Sequence, residues 1–107
     1  MKNYCVKKYS VEELDKGQDL LMNLISRKKQ AKISLNRYNE RIDECERMLK
    51  LNEEMRENEN LSESVYLVNK RIHEDNVYEY KKCASRMETH IEDIEKEIEE
   101  LREKYCL

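Results

Sequence analysis

Residues 77–105 read VYEYKKCASRMETHIEDIEKEIEELREKY, and this stretch decides the fold. Apolar or small side chains recur at Val77, Tyr80, Ala84, Met87, Ile91, Ile94, Ile98, Leu101 and Tyr105. Their intervals alternate between three and four residues, the period that keeps one stripe of an α-helix turned toward a neighbouring helix. A half-buried strand would need a period of two, which is absent. Most of the positions between are Glu, Lys or Arg, the composition of a solvated helix surface.

Toward the N-terminus, Leu61, Val65, Val68 and Ile72 keep a helical period but in another phase, and Asp75-Asn76 lies at the change. Two outcomes follow. The helix continues with a local irregularity that rotates its buried face, or it breaks with Asn76 capping a third helix. The continuous form is the expected one. Before it, Asn58-Glu59-Asn60 is a polar, turn-prone cluster, and Asn60-Leu61-Ser62-Glu63 has the order of a capping box.

A second long period precedes the turn. Leu21, Leu24, Lys28, Ala31, Leu35, Tyr38, Ile42, Cys45 and Leu49 follow the same three–four spacing, broken in character only by Lys28. Ser10-Val11-Glu12-Glu13 supplies a start signal, and Gly17 is the one weak helix former on the way to Glu57. The sequence therefore predicts an all-α chain: an irregular segment 1–9, then one helical-hairpin domain 10–107 with arms 10–57 and 61–105. Folding about Asn60 sets Lys28 opposite Glu92, with Glu88 one turn away. It also sets the basic run Arg27, Lys28, Lys29 and Lys32 against Glu88, Glu92 and Asp93. A lysine in an apolar seam fixes register at a cost in stability.

Composition closes off the other classes. The chain has 107 residues, 42% charged and 38% apolar, with one glycine and no proline, phenylalanine or tryptophan. β-Sandwiches need turn residues and aromatic strands, and nucleotide-binding α/β folds need glycine loops. No apolar run approaches a membrane span, and no leader segment is evident. The expected setting is cytoplasmic, with no membrane partner. Four cysteines, Cys5, Cys45, Cys83 and Cys106, contain no CxxC pair. Reduced, partly buried thiols are expected, with a Cys5–Cys106 disulfide or a metal shared there as the alternative, because a hairpin brings its chain ends together.

Catalysis, cofactors, metals and small-molecule substrates find little support. Cys45 with His73, and Cys83 with His90, make two half-sites but no tetrahedral set, and the residues three before the histidines are Lys70 and Met87, so a Glu-x-x-His di-iron motif is lacking. A cysteine nucleophile needs oxyanion donors, and long helices keep their amides internally bonded.

Interaction is the function class that remains. Met22, Ile25, Ile33, Met48, Leu51 and Met55 flank the first seam and widen its apolar stripe toward that of a bundle helix. Tyr66 and Tyr78 flank the phase change, and tyrosine is enriched at protein interfaces. These eight residues are the expected partner face, and a homodimer in a four-helix arrangement is the expected assembly. The chain then acts as an adaptor, chaperone or regulator. An acidic stripe through Glu92, Glu95, Glu99 and Glu103 offers a rival reading. It imitates a phosphate backbone, as a small inhibitor of a nucleic-acid enzyme carried by a phage or other mobile element would. Third comes nucleic-acid contact through Arg27, Lys28, Lys29, Lys32, Arg37 and Arg41. A net charge of −3 and the expected pairing of this cluster with the other arm weigh against it.

Overall fold

A computed structural model describes residues 9–107, and in it the chain is an antiparallel helical hairpin. Helix α1 spans Val11–Glu57 and α2 spans Glu63–Tyr105, 47 and 43 residues. There are no strands among the described residues. The expected irregular segment 1–9 lies outside them but for Tyr9.

The helix ends explain where the chain turns. Ser10 caps α1: its Oγ accepts from the Glu13 amide at 3.2 Å and donates to the Glu13 carboxylate at 3.2 Å. That is the capping box read from the sequence, with the glutamate on the serine hydroxyl rather than on its amide. At the other end of α1 the Asn60 amide donates to the Met55 carbonyl and the Glu59 amide to the Arg56 carbonyl, both in the 2.9–3.0 Å range. These two bonds and Glu59 at φ 59° form a Schellman motif. The end of α2 repeats it, with Cys106 at φ 55° and the Leu107 amide donating to Arg102. The second cap differs from expectation. Ser62, not Asn60, caps α2, accepting from the Val65 amide at 3.4 Å, so the helix starts two residues later than 61. The linker thereby gains room for the left-handed residue at 59.

Helix α2 runs unbroken through Asp75-Asn76. The seam keeps the phase of its far half all the way back through His73, Lys70 and Tyr66, each buried or half-buried. Its buried face does not rotate, so Val65, Val68 and Ile72 are exposed rather than in the seam, while Leu61 is half-buried in the linker before α2.

The chain divides into two compact units, each a pair of helix segments. In the unit Met1–Ile33 with Glu88–Leu107, the core is Ala31, Ile91, Ile94 and Ile98, all buried. Gly17 is buried as well, because the Tyr105 ring lies against it: a Cβ on Gly17 would stand 2.9 Å from that ring. Tyr9 packs on the same ring with centroids 4.9 Å apart. Lys28 reaches Glu95 at 3.2 Å, not the expected Glu92. The shift has a simple origin: Gly17 meets Tyr105 and Arg56 lies over Tyr66, so the helices pair about Leu61 rather than Asn60.

In the unit Ser34–Met87 the core is Ile42, Ala84, Tyr66 and one buried amide, Asn52. Lys81 and Glu46 bridge the two helices at 3.7 Å, and Arg41 lies over the Tyr80 ring at 5.8 Å. Both contacts are solvent-exposed and contribute little, about 0–1 kcal/mol each.

Cys106 is disulfide-bonded, which corrects the expectation of reduced thiols throughout; Cys45 and Cys83 are free and half-buried. Cys5 lies outside the described residues.

Candidate interaction surface

The turn-proximal unit is built inside out. Tyr66 is 2% exposed and Asn52 5%. The Asn52 side-chain amide donates to the Tyr66 carbonyl at 3.0 Å, and the Asn69 amide donates to the Asn52 oxygen at 3.3 Å. The Tyr66 hydroxyl donates to the Glu53 carboxylate. Arg56 stands over its ring at 4.3 Å and Lys70 at 5.9 Å. Bonding to the Tyr66 side chain, then the charge of Glu63 at 3.5 Å, raises the Arg56 pKa above its ordinary value. Its stabilising effect is therefore complete below the ordinary arginine range and is lost only above it, outside any working pH. His73 adds a buried Nδ1 with no hydrogen-bond partner. Polar groups thus fill the seam where a hairpin ordinarily buries leucine and valine.

The apolar side chains of the same stretch face outward. Val65 is 45% exposed, Val68 58% and Ile72 50%. They form a stripe along the outer face of α2. On α1, Met48 and Leu51 are exposed and Met55 half-buried. Helical spacing puts Met48, Met55, Val65 and Ile72 toward one edge of the pair, with Leu51 and Val68 nearer the backs of their helices. Met48 and Met55 stand beside Asn52, on the flank where Asn69 bonds to it, and Val65 and Ile72 lie one step outward from Asn69. The opposite flank carries Glu46, Glu53 and Lys81, together with Leu67, which is 53% exposed.

The residues singled out from the sequence separate accordingly. Met48 and Met55 belong to this face, and Leu51 is exposed behind it on α1. Met22, Ile25 and Ile33 are exposed on the other unit, and Tyr78 is exposed on α2. Tyr66 does not belong: it is an interior residue, its ring taken up by Arg56 and Lys70, which corrects its assignment to a partner surface. Val65, Val68 and Ile72 were read as buried seam and are its missing members. The signal for them was the phase mismatch with residues 77–105, which already set two apolar stripes on one helix.

The charged surfaces also differ from expectation. Arg27, Lys29, Lys32, Arg37 and Arg41 are exposed, and among the described residues Lys28 alone of the basic cluster forms an ion pair. The acids of α2 do not neutralise the rest. Glu92, Glu99 and Glu103 are exposed, while Glu95 is held by Lys28.

In the other unit, Leu20, Asn23, Leu24 and Arg27 of α1 and Glu97, Glu100, Leu101 and Lys104 of α2 line a shallow groove of about 410 Å³. Among the described residues no three of His, Cys, Asp or Glu gather as a metal site would require. None of the described helices is long and apolar enough to cross a membrane. No family model matches this sequence, and neither a curated protein nor a solved structure is similar to it.

Proposed function

We propose that the chain is a non-enzymatic interaction module, an adaptor, chaperone or regulator that presents one helix face to another protein or to a second copy of itself. One observation carries this reading: Val65, Val68 and Ile72 are exposed on α2 directly outside a seam made of Asn52, Tyr66, Asn69 and His73. Turning α2 to bury these half-exposed side chains would gain about 1 kcal/mol each within the hairpin. The chain keeps them outside. An apolar stripe held outward over a polar seam is the arrangement of a surface that another chain covers.

Such a module needs no catalysis, cofactor, metal or small-molecule substrate. The test is capture from an extract of its own cells by the immobilised chain. The expected partner is retained in high salt, because the contacts are apolar, and is lost with Val68→Asp. Identical recoveries by wild type and Val68→Asp would sink the reading.

The rival inhibitor reading has its own support in Glu92, Glu99 and Glu103, exposed and in no ion pair among the described residues. It requires that Gln at all three positions release a nuclease or polymerase while Val68→Asp does not. Nucleic-acid contact is supported by the unpaired Arg27, Lys29, Lys32 and Arg37, and it requires a mobility shift that Lys29→Ala with Lys32→Ala removes.

The cytoplasmic setting expected from the sequence stands against the disulfide at Cys106, since cytosolic thiol pools keep such bonds reduced. Thiol labelling of the protein as drawn from its cells decides. Reaction at Cys106 places the chain in a reducing compartment, and protection places it in an oxidising one.

A further inference from the structure

We infer that Asn60 is an acceptor for an N-linked oligosaccharide. The inference goes beyond the interaction-module reading and does not depend on it.

The sequence supplies the acceptor pattern. Asn60-Leu61-Ser62 is an asparagine followed two residues on by a hydroxyl, with no proline between, the order that oligosaccharide transfer requires. Of the chain's nine asparagines, Asn60 alone has Ser or Thr at that distance. The fold decides whether this one is open to a transferase.

Helix α1 ends at Glu57 and α2 begins at Glu63, so all three residues lie in the linker, outside both helices. Side chains two apart on a helix diverge by about 200°, whereas a non-helical segment can turn both toward one enzyme. Asn60 and Ser62 are exposed, with Leu61 half-buried between them. A cap at Asn60 would have tied up its side chain, but Ser62 caps α2 instead. The Asn60 backbone amide is held by the Met55 carbonyl, while its side-chain amide has no hydrogen-bond partner among the described residues. The Ser62 hydroxyl is held only at 3.4 Å, by the Val65 amide and Ser64, so engaging it costs little. A bulky, solvated glycan at this exposed position displaces no core side chain.

The donor is an oligosaccharide carried on a lipid pyrophosphate. Asn60 Nδ2 attacks the anomeric carbon, and a C–N bond forms as the C–O bond to the pyrophosphate breaks. The lipid pyrophosphate leaves with the electron pair, and the amide nitrogen gives one proton to a base of the transferase. Nothing is oxidised or reduced.

A second, separate residue points to the same setting. Cys106 is disulfide-bonded, and disulfides persist in the oxidising compartments through which glycosylated proteins pass.

Intact mass and peptide mapping of the chain drawn from its own cells and their medium test this. Wild type should exceed its 13.1 kDa chain mass. A peptide N-glycosidase should remove the excess and leave an aspartate at the acceptor position. In Asn60→Gln the excess should be absent and the helical circular dichroism unchanged. Ser62→Thr keeps both hydroxyl and cap and should keep the excess, whereas Ser62→Ala should lose it. A wild type at its unmodified mass overturns the inference, whatever the state of Cys106. So does an excess that Asn60→Gln retains in full. Either result leaves the interaction module standing, because Val68→Asp tests that separately.

Discussion

Glu59 sits at φ 59°, the position where a Schellman motif most often carries glycine. A residue with a Cβ loses about 1 kcal/mol there relative to glycine. Glu59→Gly is therefore expected to stabilise the chain by about 1 kcal/mol and to raise its melting temperature by roughly 4–8 °C; a lowered melting temperature contradicts the turn geometry. Gly17 is the opposite case. In an open helix Gly→Ala gains about 1 kcal/mol. Here the new methyl would stand 2.9 Å from the Tyr105 ring, so the gain is cancelled or reversed. In a Tyr105→Ala background the same substitution should recover it, and a thermal melt of the four combinations reads the coupling directly. Gly17 was read from the sequence only as a weak helix former, because its neighbour lies nearly ninety residues away and no local pattern names it.

At the scale of the element, α1 and the far half of α2 were legible because their seams are apolar. Ile91, Ile94 and Ile98 lie in the core where the three–four spacing put them. Ile94→Asp is expected to cost at least about 3 kcal/mol through a buried, unpaired charge. The near half of α2 was not legible, since hydrophobic periodicity follows the apolar stripe and this stripe faces out. The seam there is carried by Tyr66, Lys70 and His73, which keep the three–four spacing but are polar or amphipathic, so a search for apolar side chains passes over them. Asn52→Leu with Asn69→Leu removes both partners of the amide pair together, so no donor of that pair is stranded. This double variant is expected to raise the melting temperature while loosening helix register, read as a broader exchange profile in the Ser34–Met87 unit. Unchanged register would mean the amides contribute no specificity. Lys28 belongs to the same class. Its ion pair with Glu95 at 3.2 Å is half exposed, so Lys28→Leu should stabilise the chain, and an unchanged melting temperature would show the lysine to be merely reaching solvent.

For the molecule as a whole, the hairpin fold leaves several surfaces open among the described residues, including an apolar stripe on α2 near the turn, a basic run on α1 and an acidic run on α2. Sequence spacing identified the two charged runs residue by residue. It missed that, among the described residues, Lys28 alone of the basic run is ion-paired, because Arg27, Lys29, Lys32 and Arg37 stand at exposed positions off the seam. The central claim is that Val65, Val68 and Ile72 face outward from the hairpin, open to another chain. Methyl NMR with a soluble paramagnetic agent tests it most directly. At dilution their methyl signals should broaden as strongly as those of an exposed residue such as Met22. Protection of the three at dilution would contradict the account, placing the stripe inside the hairpin.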